Sequence, residues 1–175
     1  MPTITEKIVK FTPRVLPPAE AEAWGVSARH VIALPLTDAG VGALIQLALG
    51  EFAPLTGFLE EAEYLSVLLD GKLRDGTPLL APLTLAITEE QRSEITRGQL
   101  VALTNLAGQV IGRLEVRSIY PRREHAENLS RSGKTSSQRN KAVSRQWLVG
   151  GPVDVLPSVI KRESHAEQLF PWGLS

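Results

Sequence analysis

Seven cations crowd into residues 122–145: Arg122, Arg123, Arg131, Lys134, Arg139, Lys141 and Arg145, against only Glu124 and Glu127. That density on one short segment is suited to neutralising phosphates, on RNA or on a nucleotide presented by a partner. No Phe, Trp or Tyr interrupts the run, so it offers no platform for base stacking. The segment is also rich in serine and has no periodicity, which reads first as a solvated loop and second as an anion-binding one. Within it, Ser132-Gly-Lys-Thr135 has the end of a phosphate-binding P-loop. Asn128 stands where the first glycine is required, and no strand-then-helix context surrounds it. Ser136-Ser-Gln-Arg-Asn140 reads as loop on the same grounds. His30, His125 and His165 form no pair at helical or turn spacing, and there is no cysteine. Thiolate nucleophiles, disulfides and cysteine-ligated metals are thereby excluded. The sequence assigns no catalytic residue, no metal ligand and no cofactor.

The elements that must carry this segment belong to an ordinary globular chain. At 175 residues, 43% apolar and 22% charged, it is expected to form one domain. A chain of that size buries roughly 70% of its unfolded surface. The formal net charge is zero, so the basic segment sits in an acidic body, and bulk charge favours neither DNA nor a membrane surface. Lys7, Lys10 and Arg14 break up the N-terminus, leaving no apolar run of signal-peptide length. No window approaches the ~18 apolar residues of a membrane span. A cytoplasmic protein is expected.

Residues 1–30 mix short apolar stretches with Pro13, Pro17 and Pro18 and give no clear element. Residues 31–36 read as a short buried strand. Thr37 or Asp38 then caps a helix with a broad apolar stripe through Val41, Leu44, Ile45 and Leu47–Leu49, which Gly50 ends in a left-handed turn. A second helix runs from Glu60 to Asp70, with Tyr64, Leu65, Leu68 and Leu69 on one face and Gly71 as its stop. Asp75-Gly-Thr-Pro78 is a turn. Strands are expected over 79–87, with Pro82 marking an edge or bulge, and over 99–104. Asn105–Gly108 makes a hairpin turn into one alternating, half-buried strand over 109–120, with Val110, Gly112, Leu114, Val116 and Ser118 on one face and Ile111, Arg113, Glu115, Arg117 and Ile119 on the other, polar face, and 146–151 gives a further short strand. The tail 157–175 is irregular, with a helical turn near 163–169 and Phe170-Pro-Trp172 docking on the body. Two helices ahead of several short strands define an α+β fold with a small curled sheet or barrel and two or three flanking helices.

Five blocks in this order resemble the N-terminal domain of ATP sulfurylase (sulfate adenylyltransferase). The first is Gly50-Glu-Phe52-Ala-Pro54-Leu55-Thr56-Gly57-Phe58, similar to the family's Gly-x-Phe-x-Pro-Leu-Thr-Gly-Phe signature. A tyrosine-bearing helix follows at Glu60–Tyr64, then Asp75-Gly76-Thr77 with Ala81-Pro-Leu-Thr84, then Leu114-Glu-Val116 with Tyr120. Last comes Trp147-Leu-Val-Gly150-Gly151-Pro152-Val-Asp-Val-Leu156. Order and spacing agree over about residues 30–156. The resemblance implies a PUA-like barrel, with the signature loop as scaffold or as a wall against which a catalytic domain packs. The family's Gln-x-Arg-Asn-Pro and His-x-x-His segments, which follow the Gly-Gly-Pro block, are not found after Leu156, so no catalytic residue carries over.

The resulting expectation is a stand-alone module, non-catalytic by itself. It would bind a protein partner, a second copy of itself, or an anionic ligand such as an adenylyl-sulfate-type nucleotide. An RNA-binding PUA-like protein is the weaker alternative, and a fragment of a full sulfate adenylyltransferase is another. Trp147 and Trp172 are candidates for an interface or for the core.

Overall fold

The computed structural model describes residues 12–79, 82–123 and 146–160. In chain order the elements are α1 (Pro18–Ser27), a 3-10 turn (Ala28–His30), β1 (Ala33–Pro35), α2 (Asp38–Leu49), β2 (Gly57–Phe58), α3 (Glu61–Asp70) and β3 (Leu85–Ile87). They continue as α4 (Glu89–Glu94), β4 (Leu100–Thr104), β5 (Val110–Glu115), β6 (Ser118–Pro121) and β7 (Trp147–Val155).

Local chemistry sets most boundaries. Thr37 caps α2, its hydroxyl accepting from the Gly40 N–H at 3.1 Å, and Gly50 closes the helix at φ 89°. Gly71 ends α3 at φ 68°. The first turn of α3 is capped from far away, the Ser118 hydroxyl accepting from the Glu61 N–H at 3.1 Å. Val67 is buried where Leu69 was expected. Leu69 is 81% exposed because, five positions beyond Tyr64, it falls on the far side of a 3.6-residue turn. In the turn after α3, Asp75 accepts from the Thr77 N–H at 2.9 Å. The Thr77 backbone and hydroxyl donors hold the Asp75 carboxyl below the ordinary aspartate range.

One strand organises the sheet. The sheet order is β1-β4-β5-β7-β2, with β3 and β6 also joined to β7. The N-terminal half of β7 lies between β6 and β3; its C-terminal half lies between β5 and β2. The sheet curls into a half-barrel around Leu34, Leu44, Leu47, Val101, Leu103, Leu114, Val149 and Val153, all at most 1% exposed. This is the α+β architecture expected.

Three departures from the sequence reading have local causes. The single strand expected over 109–120 is two strands: Val116 and Arg117 break the ladder, and the register against β7 slips by one residue between Leu114↔Val153 and Ser118↔Gly150. Ile111, expected on the polar face, is buried. It is the extra residue of a bulge between the pairs Leu103↔Gly112 and Thr104↔Val110. Strand β3 is confined to Leu85–Ile87, because the stretch before it folds on itself: Leu79 N–H donates to Gly71 O at 3.0 Å.

Strand β7 runs four residues past its expected end at Gly151, through Gly-Gly-Pro, because those residues permit a backbone crossing. A Cβ on Gly57 would stand 1.8 Å from Gly151 O, one on Gly150 2.1 Å from Leu59 O, and one on Gly151 1.9 Å from Glu115 O. The signature loop and the Gly-Gly-Pro block thus meet backbone to backbone, in the register Gly57↔Pro152 and Phe58↔Gly151.

The N-terminal segment is tied on by charge. Arg14 donates through Nε to Val153 O at 2.7 Å, and its Nη2 lies 3.4 Å from Asp154 Oδ1. Arg113 Nε donates to Asp154 Oδ2 at 3.2 Å and stands over Trp24, whose indole donates to Gly112 O at 3.0 Å. Asp154 therefore serves two half-buried guanidiniums. Asp154→Ala is expected to cost about 2 kcal/mol in urea unfolding, with both single Arg→Ala variants costing less than their sum with it, since all three share one network.

Candidate functional site

Strands β6 and β7 pair as far as Pro121↔Trp147, and Arg122 N–H then donates to Gln146 O at 2.7 Å. The two ends of the cationic segment therefore leave the sheet side by side. Arg123 N–H donates to the Tyr64 hydroxyl at 2.9 Å, fastening the same neck to α3. Below it, Tyr120 donates to Leu59 O at 2.5 Å, and the Tyr64 and Tyr120 rings stand 5.2 Å apart in a buried second cluster with Leu59, Val67, Leu73 and Leu148.

Beside the neck lies α4. Thr88 and Gln91 form a reciprocal capping box: Gln91 N–H donates to Thr88 Oγ1 at 3.1 Å and Thr88 N–H to Gln91 Oε1 at 2.9 Å. The helix presents Glu89, which accepts from the Trp147 indole, and Arg92, whose guanidinium lies 4.1 Å from the Trp147 ring centroid. Trp147 is half-buried, so it is neither a plain core residue nor a free platform. Sequence reasoning missed Arg92 and Glu89, because Glu89–Glu94 has no apolar stripe. The Thr88-x-x-Gln91 spacing was the available signal.

Of the seven cations, Arg122 and Arg123 stand at the neck; Arg131, Lys134, Arg139, Lys141 and Arg145 lie outside the described residues, as do the expected helical turn near 163–169 and Trp172. The family-signature residues divide. Gly57, Phe58, Gly150, Gly151 and Pro152 meet in the β2–β7 crossing. Phe52 and Leu55 are half-buried against the main core, while Pro54 and Thr56 leave their side chains exposed. Asp75 and Gly76 (φ 94°) form a separate self-contained turn. Among the described residues no group of three or more His, Cys, Asp or Glu could hold a metal ion, and His30 is exposed in the 3-10 turn. The described cations around the neck are Arg122 and Arg123, fastened through their backbone N–H groups, and Arg92 of α4, which lies over Trp147 and pairs with Glu89 at 3.2 Å. No described helix is long and apolar enough to cross a membrane.

A half-barrel hung on one long strand, closed by a glycine crossing, defines a class. The chain belongs to the PUA-like domain family, whose model matches residues 4–158. Within it, the chain is of the kind found in sulfate adenylyltransferases. It is 31% identical over 160 residues to the Synechocystis enzyme and 31% over 161 residues to that of Trichodesmium erythraeum, in each case covering 90% of this chain and 40% of the relative. Against the Deinococcus deserti enzyme identity reaches 38% over 99 residues, 57% of this chain and 25% of the relative. The chain thus spans about 40% of the length of most of these relatives. A solved structure described as a hexameric APS kinase from Thiobacillus denitrificans shares the fold, with a TM-score of 0.61 at 21% identity over 83% of this chain and 25% of that one. The expected family and fold are both present.

Proposed function

We propose that this chain serves sulfate activation as a docking module, non-catalytic alone, that seats a sulfate adenylyltransferase catalytic unit carried on the same polypeptide or on another. One observation carries the reading. Gly57 and Phe58 are accounted for by the β7 crossing, and Phe52 and Leu55 by packing on the main core, whereas Pro54 and Thr56 of the same loop are exposed. Residues placed this way fit a wall for a partner. The similarity to sulfate adenylyltransferases over 90% of the chain indicates which partner chemistry to look for.

The neck supports anion binding as a second part of the proposal. Arg122 and Arg123, with Arg131, Lys134, Arg139, Lys141 and Arg145 between the pinned ends, would bring an adenylyl-sulfate-type nucleotide or a partner's acidic surface to the module. Self-association also stays within the proposal, since the solved relative of the fold is described as hexameric.

The purified chain, given ATP, sulfate and magnesium, is expected to release no pyrophosphate. A tagged copy in its source cell should co-purify sulfate adenylyltransferase activity, and Pro54→Asp with Thr56→Asp should abolish that capture while leaving the thermal midpoint unchanged. Turnover by the chain alone would overturn the non-catalytic assignment. Salt-dependent RNA binding with no enzyme captured would replace the whole reading by the RNA-binding one.

A further inference from the structure

Two Asp-Gly dipeptides lie close together in the chain, Asp70-Gly71 at the end of α3 and Asp75-Gly76 in the turn beyond it. All four residues are exposed. With no side chain to shield it, a glycine amide nitrogen reaches the carboxyl of a preceding aspartate more easily than that of any other residue. When that nitrogen attacks Cγ of the protonated carboxyl, a C–N bond forms, a C–O bond breaks and water leaves, closing a succinimide ring. Water then opens the ring at either carbonyl. Opening at Cγ restores aspartate; opening at the backbone carbonyl leaves isoaspartate, which routes the main chain through Cβ. Water is the only other reactant, and the net mass does not change.

The fold guards the two sites unequally. In the turn both reacting groups are held. The Gly76 N–H donates to Leu73 O at 2.9 Å, and the Asp75 carboxylate accepts from the Thr77 N–H at 2.9 Å. The Thr77 backbone donor, and then its hydroxyl, hold that carboxyl below the ordinary aspartate range, in the ionised form that has no hydroxyl to lose as water. The turn is itself closed by Leu73 N–H donating to Thr77 O at 2.8 Å and by the Lys72↔Pro78 bridge, and Arg74 N–H ties it to Glu63 Oε1 at 3.0 Å. At Asp70-Gly71 only the nucleophile is held: the Gly71 N–H donates to Val67 O at 2.9 Å, at the very end of α3. Among the described residues no donor holds the Asp70 carboxyl. Helix ends fray, and an exposed terminal bond opens at low free energy.

We propose that Asp70-Gly71 is a site of spontaneous aspartate isomerisation in this domain, and that Asp75-Gly76, the same dipeptide, is kept unreactive by the Thr77 clamp. The inserted Cβ falls where Gly71 closes α3 at φ 68°, so an isomerised chain loses the cap bond to Val67. The inference is independent of the docking function proposed above, which uses the signature loop.

Ageing the full chain at neutral pH beside a synthetic peptide of residues 68–79 tests it. Electron-transfer fragmentation in a mass spectrometer tells isoaspartate from aspartate at each position. The ratio of the Asp70 rate to the Asp75 rate in the folded chain is expected to exceed that in the peptide by about tenfold or more. Thr77→Ala removes one of the two Asp75 donors and should raise the Asp75 rate by about threefold or more, leaving the Asp70 rate as it was. Should that variant disturb the turn, the unmodified chain aged in urea is the second measurement, and there the ratio should fall to that of the peptide. A folded-chain ratio equal to the peptide's, or an Asp75 rate at or above the Asp70 rate, overturns the proposal. So does an Asp75 rate that neither Thr77→Ala nor urea raises.

Discussion

Gly57→Ala lowers the stability of this domain by about 3 kcal/mol or more, and the thermal midpoint by about 10 °C. The added methyl has nowhere to go. Its carbon would lie 1.8 Å from Gly151 O, 2.7 Å from Gly151 C and 2.7 Å from Pro152 Cα, all backbone atoms that no rotamer change can move aside. Strand β2 must therefore lift off β7, breaking the Gly57↔Pro152 and Phe58↔Gly151 pairs and withdrawing the Phe58 ring from the main core. The loss is a large share of the ~5–15 kcal/mol that holds an ordinary domain together. Gly42→Ala is the control. The same side-chain change in open space on α2 is expected to be neutral or stabilising by up to about 1 kcal/mol. Differential scanning calorimetry on the two variants reads both numbers. Equal midpoints would show that the crossing tolerates a side chain.

Tyr120→Ala is expected to cost about 4 kcal/mol, the upper range for emptying an aromatic site. Tyr120 is 1% exposed, packs its ring on Tyr64, and donates to the carbonyl of Leu59 at the entrance to α3. Tyr120→Phe isolates the hydroxyl. It should cost about 1–2 kcal/mol, because it deprives the buried Leu59 carbonyl of a donor while keeping the ring. The damage should be local. The second cluster is separate from the main core apart from the flanking Leu55 and Leu83. Exchange protection in α3 is therefore expected to fall first, and the Arg123–Tyr64 bond at the neck to loosen with it. Uniform loss of protection across β4, β5 and α3 would contradict the two-cluster description.

The parts of this fold that could be read in advance are those fixed by neighbours in sequence. Thr37 and Gly50 bracket α2, Gly71 stops α3, and Gly108 turns the β4–β5 hairpin, each acting within a few residues of itself. The parts that could not be read depend on distant partners or break the periodic rule. Helix α1 begins on Pro17-Pro18, which suits the first helical position but reads as a loop when no apolar stripe follows. The Gly150-Gly151-Pro152 run looks like the end of a strand. It is the middle of one, because the residues that make it a crossing, Gly57 and Leu59, lie far back in the chain. Ile111 is buried through a bulge that alternation cannot signal. At the candidate site the cations were visible by composition. Their pinning by Arg122–Gln146 and Arg123–Tyr64, and the Arg92–Trp147–Glu89 group beside them, exist only once β7 returns to the sheet.

That return has a consequence for how the domain is made. Strands β2, β3, β5 and β6 all hydrogen-bond to β7, and β7 is the last of the described strands to be synthesised. While the chain is emerging from a ribosome, β2, β3 and β6 have no strand to join; the β4–β5 hairpin and the β1–β4 pair do not need β7 and can form before it. The half-barrel therefore closes in one late step dominated by long-range pairings, which makes folding slow for a chain of this size. Until then the strand edges around Leu85, Leu114 and Phe58 stay open, and the nascent domain is most exposed to misassociation in the interval before Trp147 arrives.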